Sequence, residues 1–148
     1  MEISEIITKN ITDLIKQIQT NIVTSGKTAS GRTKNSLSYE EVEPNHFIVT
    51  GAAHFETLEK GRPAGKVPHR FSDIIKLWAV DKGLFAPTDK NLSSFAYFTA
   101  KKIADYGTEQ HRLGKRTDIY SDAIKDFVQK TERDVSDFYK LEINKLIK

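Results

Sequence analysis

Histidines are the first residues to consider for metal binding or catalysis. The four in this chain, His46, His54, His69 and His111, are never three or four positions apart, and none belongs to an HExxH or His-x-His arrangement. A metal site built on a helix or a short motif needs that kind of spacing. The histidine pattern therefore predicts no metal site.

Pairs of acidic side chains could perform acid–base chemistry. They occur at three places: Glu40-Glu41, Glu56 with Glu59, and Asp134 with Asp137. Solvated faces and helix ends explain each pair, because none has a His partner or a third ligand nearby in sequence. There is no Cys and no Gly-x-Ser-x-Gly elbow, and the Gly-Lys-Thr at 26–28 lacks the upstream Gly and the preceding strand of a phosphate-binding loop. We therefore expect no enzymatic activity and no cofactor.

Nine of the basic residues are concentrated in three loops that contain glycine and no acidic residue. Three clusters without a single acid occupy glycine-containing loops: Lys27, Arg32 and Lys34; Arg62, Lys66 and Arg70; Arg112, Lys115 and Arg116. Binding residues collect in loops, and Arg and Lys suit phosphates and carboxylates. Two interpretations stay open: solvated loops whose charge only aids solubility, or a surface that contacts DNA or an acidic partner.

Composition indicates one ordinary globular domain covering residues 1–148. Of the 148 residues, 38% are hydrophobic and 29% charged, and 23 basic against 20 acidic residues give a net charge of +3. A chain of this length can bury a core without disulfides or metals. No stretch approaches the roughly 20 consecutive apolar residues that a membrane span requires, so we expect no membrane partner and a cytosolic site of synthesis.

Hydrophobic periodicity and turn residues predict the elements that position these side chains. Apolar residues three and four apart predict a helix from Glu2 to about Thr24: Ile3, Ile7, Ile11, Leu14, Ile18 and Ile22. Partial alternation over 37–43 and 46–52 around Pro44-Asn45 predicts an antiparallel hairpin.

Further helices are predicted over 54–60, from Ser72 or Asp73 to Gly83, and from Asn91 or Ser93 to Gly107. In the second of these, Ile74, Ile75, Leu77, Trp78 and Val80 are expected to bury one side, with Trp78 packed in the core. The fold class is thus α+β, a small antiparallel β-sheet flanked by helices, with long N- and C-terminal helices.

The last segment, 118–148, has no Gly or Pro and predicts a long C-terminal helix. Unbroken, it would measure about 45 Å. A compact chain of this size is only about 38 Å across. The helix is therefore expected either to project beyond its own domain or to bend.

The order of several short motifs resembles a known family. The motifs are Ser30–Leu37 before the hairpin, His54–Pro63 after it, Trp78–Gly83, and Ala100–Ile103 ahead of Tyr106-Gly107-Thr108. Together they resemble, over roughly residues 1–127, the tail-completion or neck proteins of tailed bacteriophages, the head-to-tail connector group. The chain differs from that family in two places. Ser30 and Thr33 occupy positions where the family often has Thr and Leu. The predicted helix over 118–148 replaces a Phe-hydrophobic-x-Pro-Ala segment that many members have near the C-terminus.

The resemblance implies a structural virion protein that forms a ring in the phage neck, links the portal side to the tail and surrounds the DNA channel. It implies contacts with copies of itself, with a portal-side adaptor and with tail proteins, in virions assembled in the bacterial cytoplasm. Glu56, Glu59 and Gly61 match the family's acidic-Gly segment and become expected subunit contacts, although a helix end with a left-handed glycine explains the last two equally well. Arg32 and Lys34 become candidates for the channel or an inter-ring contact. The alternative is a small cytosolic protein that binds nucleic acid without sequence specificity.

Overall fold

A computed structural model describes residues 2–147, and the α+β prediction is confirmed: the chain is 60% helical with a two-stranded antiparallel sheet and long terminal helices. The elements in chain order are α1 (Ile3–Thr24), α2 (Arg32–Asn35), β1 (Ser38–Glu43), β2 (His46–Thr50), α3 (Phe55–Lys60), α4 (Phe71–Asp81), α5 (Leu92–Tyr106), α6 (Glu109–Arg112) and α7 (Ser121–Leu146). The chain divides into two compact units. Unit 1 comprises the described parts of 1–25, 34–52 and 118–148, and unit 2 comprises 26–33 and 53–117.

Unit 1 is built on the pair α1 and α7. Four residues of the predicted apolar stripe of α1 are buried, namely Ile11, Leu14, Ile18 and Ile22. The other two, Ile3 and Ile7, are half-buried, and Ile6, which lies beside the stripe, is buried. Asn10 is buried in the same row, and its Nδ2 donates to Asp134 Oδ2 at 2.9 Å and to Thr131 Oγ1 at 3.3 Å. This polar bridge fixes the register of the two helices, because a buried amide is costly unless its hydrogen bonds are made.

The helices α1 and α7 run antiparallel. Asn21 near the end of α1 donates to the carbonyl of Ile119, just before α7, at 2.9 Å, whereas Asn10 meets the middle of α7. By this register the first residue of α1 lies level with about residue 139 of α7. The last turns of α7 therefore extend beyond α1, and their apolar side chains Leu141, Ile143 and Leu146 are exposed.

The predicted hairpin is confirmed, with its turn at Pro44-Asn45. Asn45 adopts a left-handed φ of 62°, which asparagine tolerates better than most residues. The rings of Tyr39 and Phe47 lie 6.4 Å apart across the strands on one face. Phe47 is nevertheless the one strand residue that is partly buried, and every other residue of β1 and β2 is exposed.

Unit 2 is built on the pair α4 and α5. Ile75, Ala96 and Ala100 form a buried cluster, with Phe71, Phe95 and Ile103 packed against it. The expected burial of Trp78 is wrong, since 39% of this residue is exposed, and Ile74 and Leu77 are exposed as well.

Small residues on α4 and α5 explain why Ile75 is buried while Trp78 is exposed. Alanines at 79, 96 and 100 let the two helices approach closely, so the buried side of α4 is centred on Ile75 and Ala79. At about 100° per residue, Ile74 and Trp78 fall on the flank of that side and Leu77 falls nearly opposite.

The predicted loop at 25–36 contains the whole of the one-turn helix α2, and the predicted loop at 110–116 contains most of the one-turn helix α6. At α6 the reason is local. Thr108 is its N-cap, and the side-chain oxygen accepts a hydrogen bond from His111 N at 3.4 Å.

Candidate functional site

Glu59 is a fully buried acidic residue at the end of α3 in unit 2, with 0% of its side chain exposed. Its Oε1 accepts a hydrogen bond at 2.7 Å from Nε of Arg116, whose side chain is 48% exposed. The backbone carbonyl of Glu59 accepts from Gln110 Nε2 at 2.6 Å and from Thr117 N at 2.9 Å. One residue thus holds both ends of the segment 110–117 against α3.

Two glycines allow the segments 61–64 and 107–111 to lie side by side. Gly61 has a φ of +78°, and an added Cβ would lie 2.6 Å from Thr108 Oγ1. Gly107 has a φ of +77°, and its Cβ would lie 2.7 Å from the carbonyl oxygen of Arg62. Backbone N–H groups of Arg62 and Thr108 complete the contact, donating to Thr108 Oγ1 and to Arg62 O, each at 2.9 Å. Only glycine fits such close approaches at a left-handed φ.

The first basic loop joins the same region through Lys27. Its Nζ donates to Gln110 Oε1 at 2.6 Å, and Lys82 Nζ donates to the carbonyl of Gly26. Burial, followed by the nearby positive charge of Lys82, lowers the pKa of Lys27. Residues 26–27, 59–66 and 107–117 therefore meet in one place, which we call the loop junction.

The side chains of four of the nine predicted basic contact residues have a carboxylate or amide partner within the described chain. Arg32 pairs with Asp81 at 3.2 Å, Arg70 with Asp73 at 2.6 Å and Arg116 with Glu59, while Lys27 is held by Gln110. The other five have no carboxylate partner among residues 2–147: Lys34, Arg62, Lys66, Arg112 and Lys115. Lys34 belongs to unit 1, and the other four lie in the loop junction.

A shallow pocket of about 400 Å³ opens beside the loop junction. Its polar lining comes from His54, Thr57, Arg62 and Lys66, with Pro63 and Ala64 between them, and no acidic residue contributes. The ring nitrogen Nε2 of His54 lies 2.6 Å from Thr33 Oγ1. A cationic pocket of this kind can hold a phosphate or a carboxylate.

The three residues matched to the family's acidic-Gly segment divide into two kinds. Glu56 is exposed and pairs with Lys60 at 3.6 Å on α3, so a contact with another subunit remains available to it. Glu59 and Gly61 are buried inside their own unit, where they support the loop junction. The spacing of Phe55, Leu58 and Glu59 already places Glu59 on the apolar side of α3.

Gln110 is an organising residue that the sequence did not suggest, and Thr108, although part of the Tyr106-Gly107-Thr108 motif, was not expected to bond to Arg62. Gln110 contacts Lys27, Glu59 and, at 3.3 Å, Thr117 Oγ1. A single glutamine in a polar loop carries no pattern, so only the folded chain identifies Gln110.

In residues 2–147, no helix combines the length and the apolar character needed to cross a membrane. Within the same residues, no three side chains of His, Asp or Glu come together as a metal site. Comparisons with protein-family models, with curated proteins and with solved structures find no match to this chain.

Proposed function

We propose that this protein is a structural subunit of a ring in the neck of a tailed bacteriophage, linking the portal side to the tail around the DNA channel. The order of the short motifs between Ser30 and Thr108 suggests the family. The observation that supports the proposal most directly is the apolar helix surface that is left uncovered within each unit. Such surface on a folded chain marks a place where another protein binds.

In unit 1, α7 has an apolar face wider than α1 can cover. Beside the side chains that face α1 runs a second stripe, which is exposed near both ends of the helix, with the half-buried Val135 between: Ile124, Val128, Tyr139, Ile143 and Leu146. These positions share one side of the helix at about 100° per residue. The stripe continues into the part of α7 that extends beyond α1, where 86% of Leu146 is exposed.

In unit 2, a second uncovered surface lies on α4, where Ile74, Leu77 and Trp78 are exposed. A ring subunit needs two different side surfaces, one for each neighbour, because a contact that is repeated head to tail closes a ring. Uncovered apolar surface on both units fits that requirement. The number of copies in the ring would then depend on the rotation that the contact imposes between neighbouring copies.

The loop junction supports the part of the proposal that concerns the channel. Two of its cations without carboxylate partners, Arg112 and Lys115, would attract phosphates that pass through a ring, and such attraction needs no base recognition. The same observation favours the second candidate function, non-specific nucleic-acid binding by a single copy.

Electron microscopy and sedimentation of the purified protein separate the two candidates. The ring proposal expects symmetric particles with a central hole, and Ile143→Glu should dissociate them, whereas Asn144→Glu, which adds the same charge outside the stripe, should not. A protein that stays monomeric at about 100 μM, and binds DNA with a steep salt dependence, would replace the ring proposal with the alternative.

A further inference from the structure

We infer that neighbouring copies in the proposed ring contact each other through one particular pair of surfaces, the loop Arg62–Lys66 of one copy and a groove at the tip of the β-hairpin in the next. This inference rests on the proposed ring. The contact would join unit 2 of one copy to unit 1 of the next and select which surfaces of neighbouring copies meet.

The groove belongs to unit 1 and has a volume of about 700 Å³. Apolar side chains and carboxylates share its lining: Ile3, Val42 and Phe138, and Glu2, Glu41 and Glu43. None of the described residues that line it is basic. A pocket of this size accommodates several side chains, and its combination of apolar surface and negative charge calls for an occupant with both apolar groups and cations.

The loop Arg62–Lys66 has that composition. Arg62 and Lys66 stand at its two ends with Pro63 and Ala64 between them, and residues 63–66 are all exposed. Neither cation has a carboxylate partner in the described chain, although the guanidinium of Arg62 lies 5.4 Å from the centroid of the Phe71 ring. The loop thus offers positive charge on either side of a short apolar stretch.

Backbone hydrogen bonds hold the loop in place before any partner binds. Gly65 N donates to the carbonyl of Ala104 at 2.8 Å, and Arg62 is fixed to Thr108 through two hydrogen bonds of 2.9 Å. A preordered loop loses little conformational entropy on docking, which favours binding. The hairpin tip is ordered likewise by Glu41, whose Oε1 accepts from Asn45 N at 2.9 Å.

Charge also decides which surfaces meet. Two grooves brought together would oppose carboxylate with carboxylate, and two loops would oppose cation with cation, so like surfaces repel. The favoured contact joins a loop to a groove, which is heterologous. Repetition of a heterologous contact produces a ring when the rotation closes, as the proposed function requires.

A charge exchange tests this contact. The variants are Glu43→Lys in the groove, Lys66→Glu in the loop, and the double variant that carries both substitutions. Glu40→Lys is the matched control, because Glu40 lies on the same strand but outside the groove. Glu43 and Lys66 are exposed, so far-UV circular dichroism should match the wild type. Association is measured by sedimentation velocity and native mass spectrometry at low salt.

Each single variant is expected to weaken association at least about tenfold, because it places like charges in contact. The double variant and an equimolar mixture of the two single variants should restore association to within about threefold of wild type, and Glu40→Lys should leave it unchanged. If the wild type assembles, and Glu43→Lys and Lys66→Glu assemble equally well, the contact between loop and groove is wrong and the ring proposal stands. A wild type that never assembles would overturn the ring itself.

Discussion

Replacing Arg116 by alanine removes the guanidinium that contacts the buried carboxylate of Glu59. Breaking a fully buried ion pair by removing one partner costs about 3–5 kcal/mol. Glu59 is 0% exposed but Arg116 is 48% exposed, and water screens the exposed half of the pair. We therefore expect Arg116→Ala to lower the free energy of unfolding by roughly 1–3 kcal/mol.

Urea unfolding at pH 7, followed by far-UV circular dichroism, measures this change. Arg32→Ala is the matched control, because it breaks a surface pair of 3.2 Å whose side chains are 75% and 28% exposed, and it should cost at most about 1 kcal/mol. Adding Glu59→Gln to Arg116→Ala should recover part of the loss, since no charge is then buried without its guanidinium. If Arg116→Ala costs no more than Arg32→Ala, the carboxylate of Glu59 does not depend on Arg116 and the reasoning is wrong.

Three further perturbations follow from single contacts. Gly61→Ala should cost about 2–4 kcal/mol in thermal unfolding because its Cβ would meet other atoms at a left-handed φ, whereas Gly83→Ala, with a similar φ and open space, should cost only about 1–2 kcal/mol. Hydrogen bonds from Lys130 and Asn10 lower the pKa of Asp134 in the folded state. The stability that these hydrogen bonds contribute is therefore complete above the pKa of an unfolded aspartate, near 3.9, and is lost as the pH falls through the lower pKa of the folded state. Asp134→Asn should accordingly flatten the dependence of urea unfolding on pH between about 5 and 2, and an unaltered dependence would contradict that cause. Deletion of residues 141–148 should leave thermal unfolding nearly unchanged but weaken association in sedimentation, because residues 141–147 lie beyond α1; a large loss of stability would show that residues 141–147 pack within one copy.

Two kinds of surface, apolar and charged, would contribute differently to the proposed ring. The apolar stripes of α7 and α4 supply area, which drives association but does not choose a partner. The loop Arg62–Lys66 and the hairpin groove supply charge, which selects one contact over others. Loss of association in Ile143→Glu together with normal association in Lys66→Glu would assign the ring to the stripes alone.

The sequence by itself determined the elements whose signals are local. The apolar spacing of α1, the Pro44-Asn45 turn and the glycines after α3 and α5 each act within a few residues, so periodicity and turn chemistry are sufficient to predict them. The excess apolar character of α7 was also visible in its spacing, together with a length greater than a compact domain can cover.

Only the tertiary structure decided which of these features meet. Parts of the three basic loops meet in the loop junction because Gln110, Glu59 and two glycines join segments that are far apart in sequence, and such contacts leave no local pattern. Burial was likewise decided by the partner helix: alanines on α5 turn Ile75 of α4 inward and leave Trp78 on the flank, although tryptophan is the larger apolar residue. A helix presents every side chain at a fixed angle, and the neighbouring element selects the side that is covered.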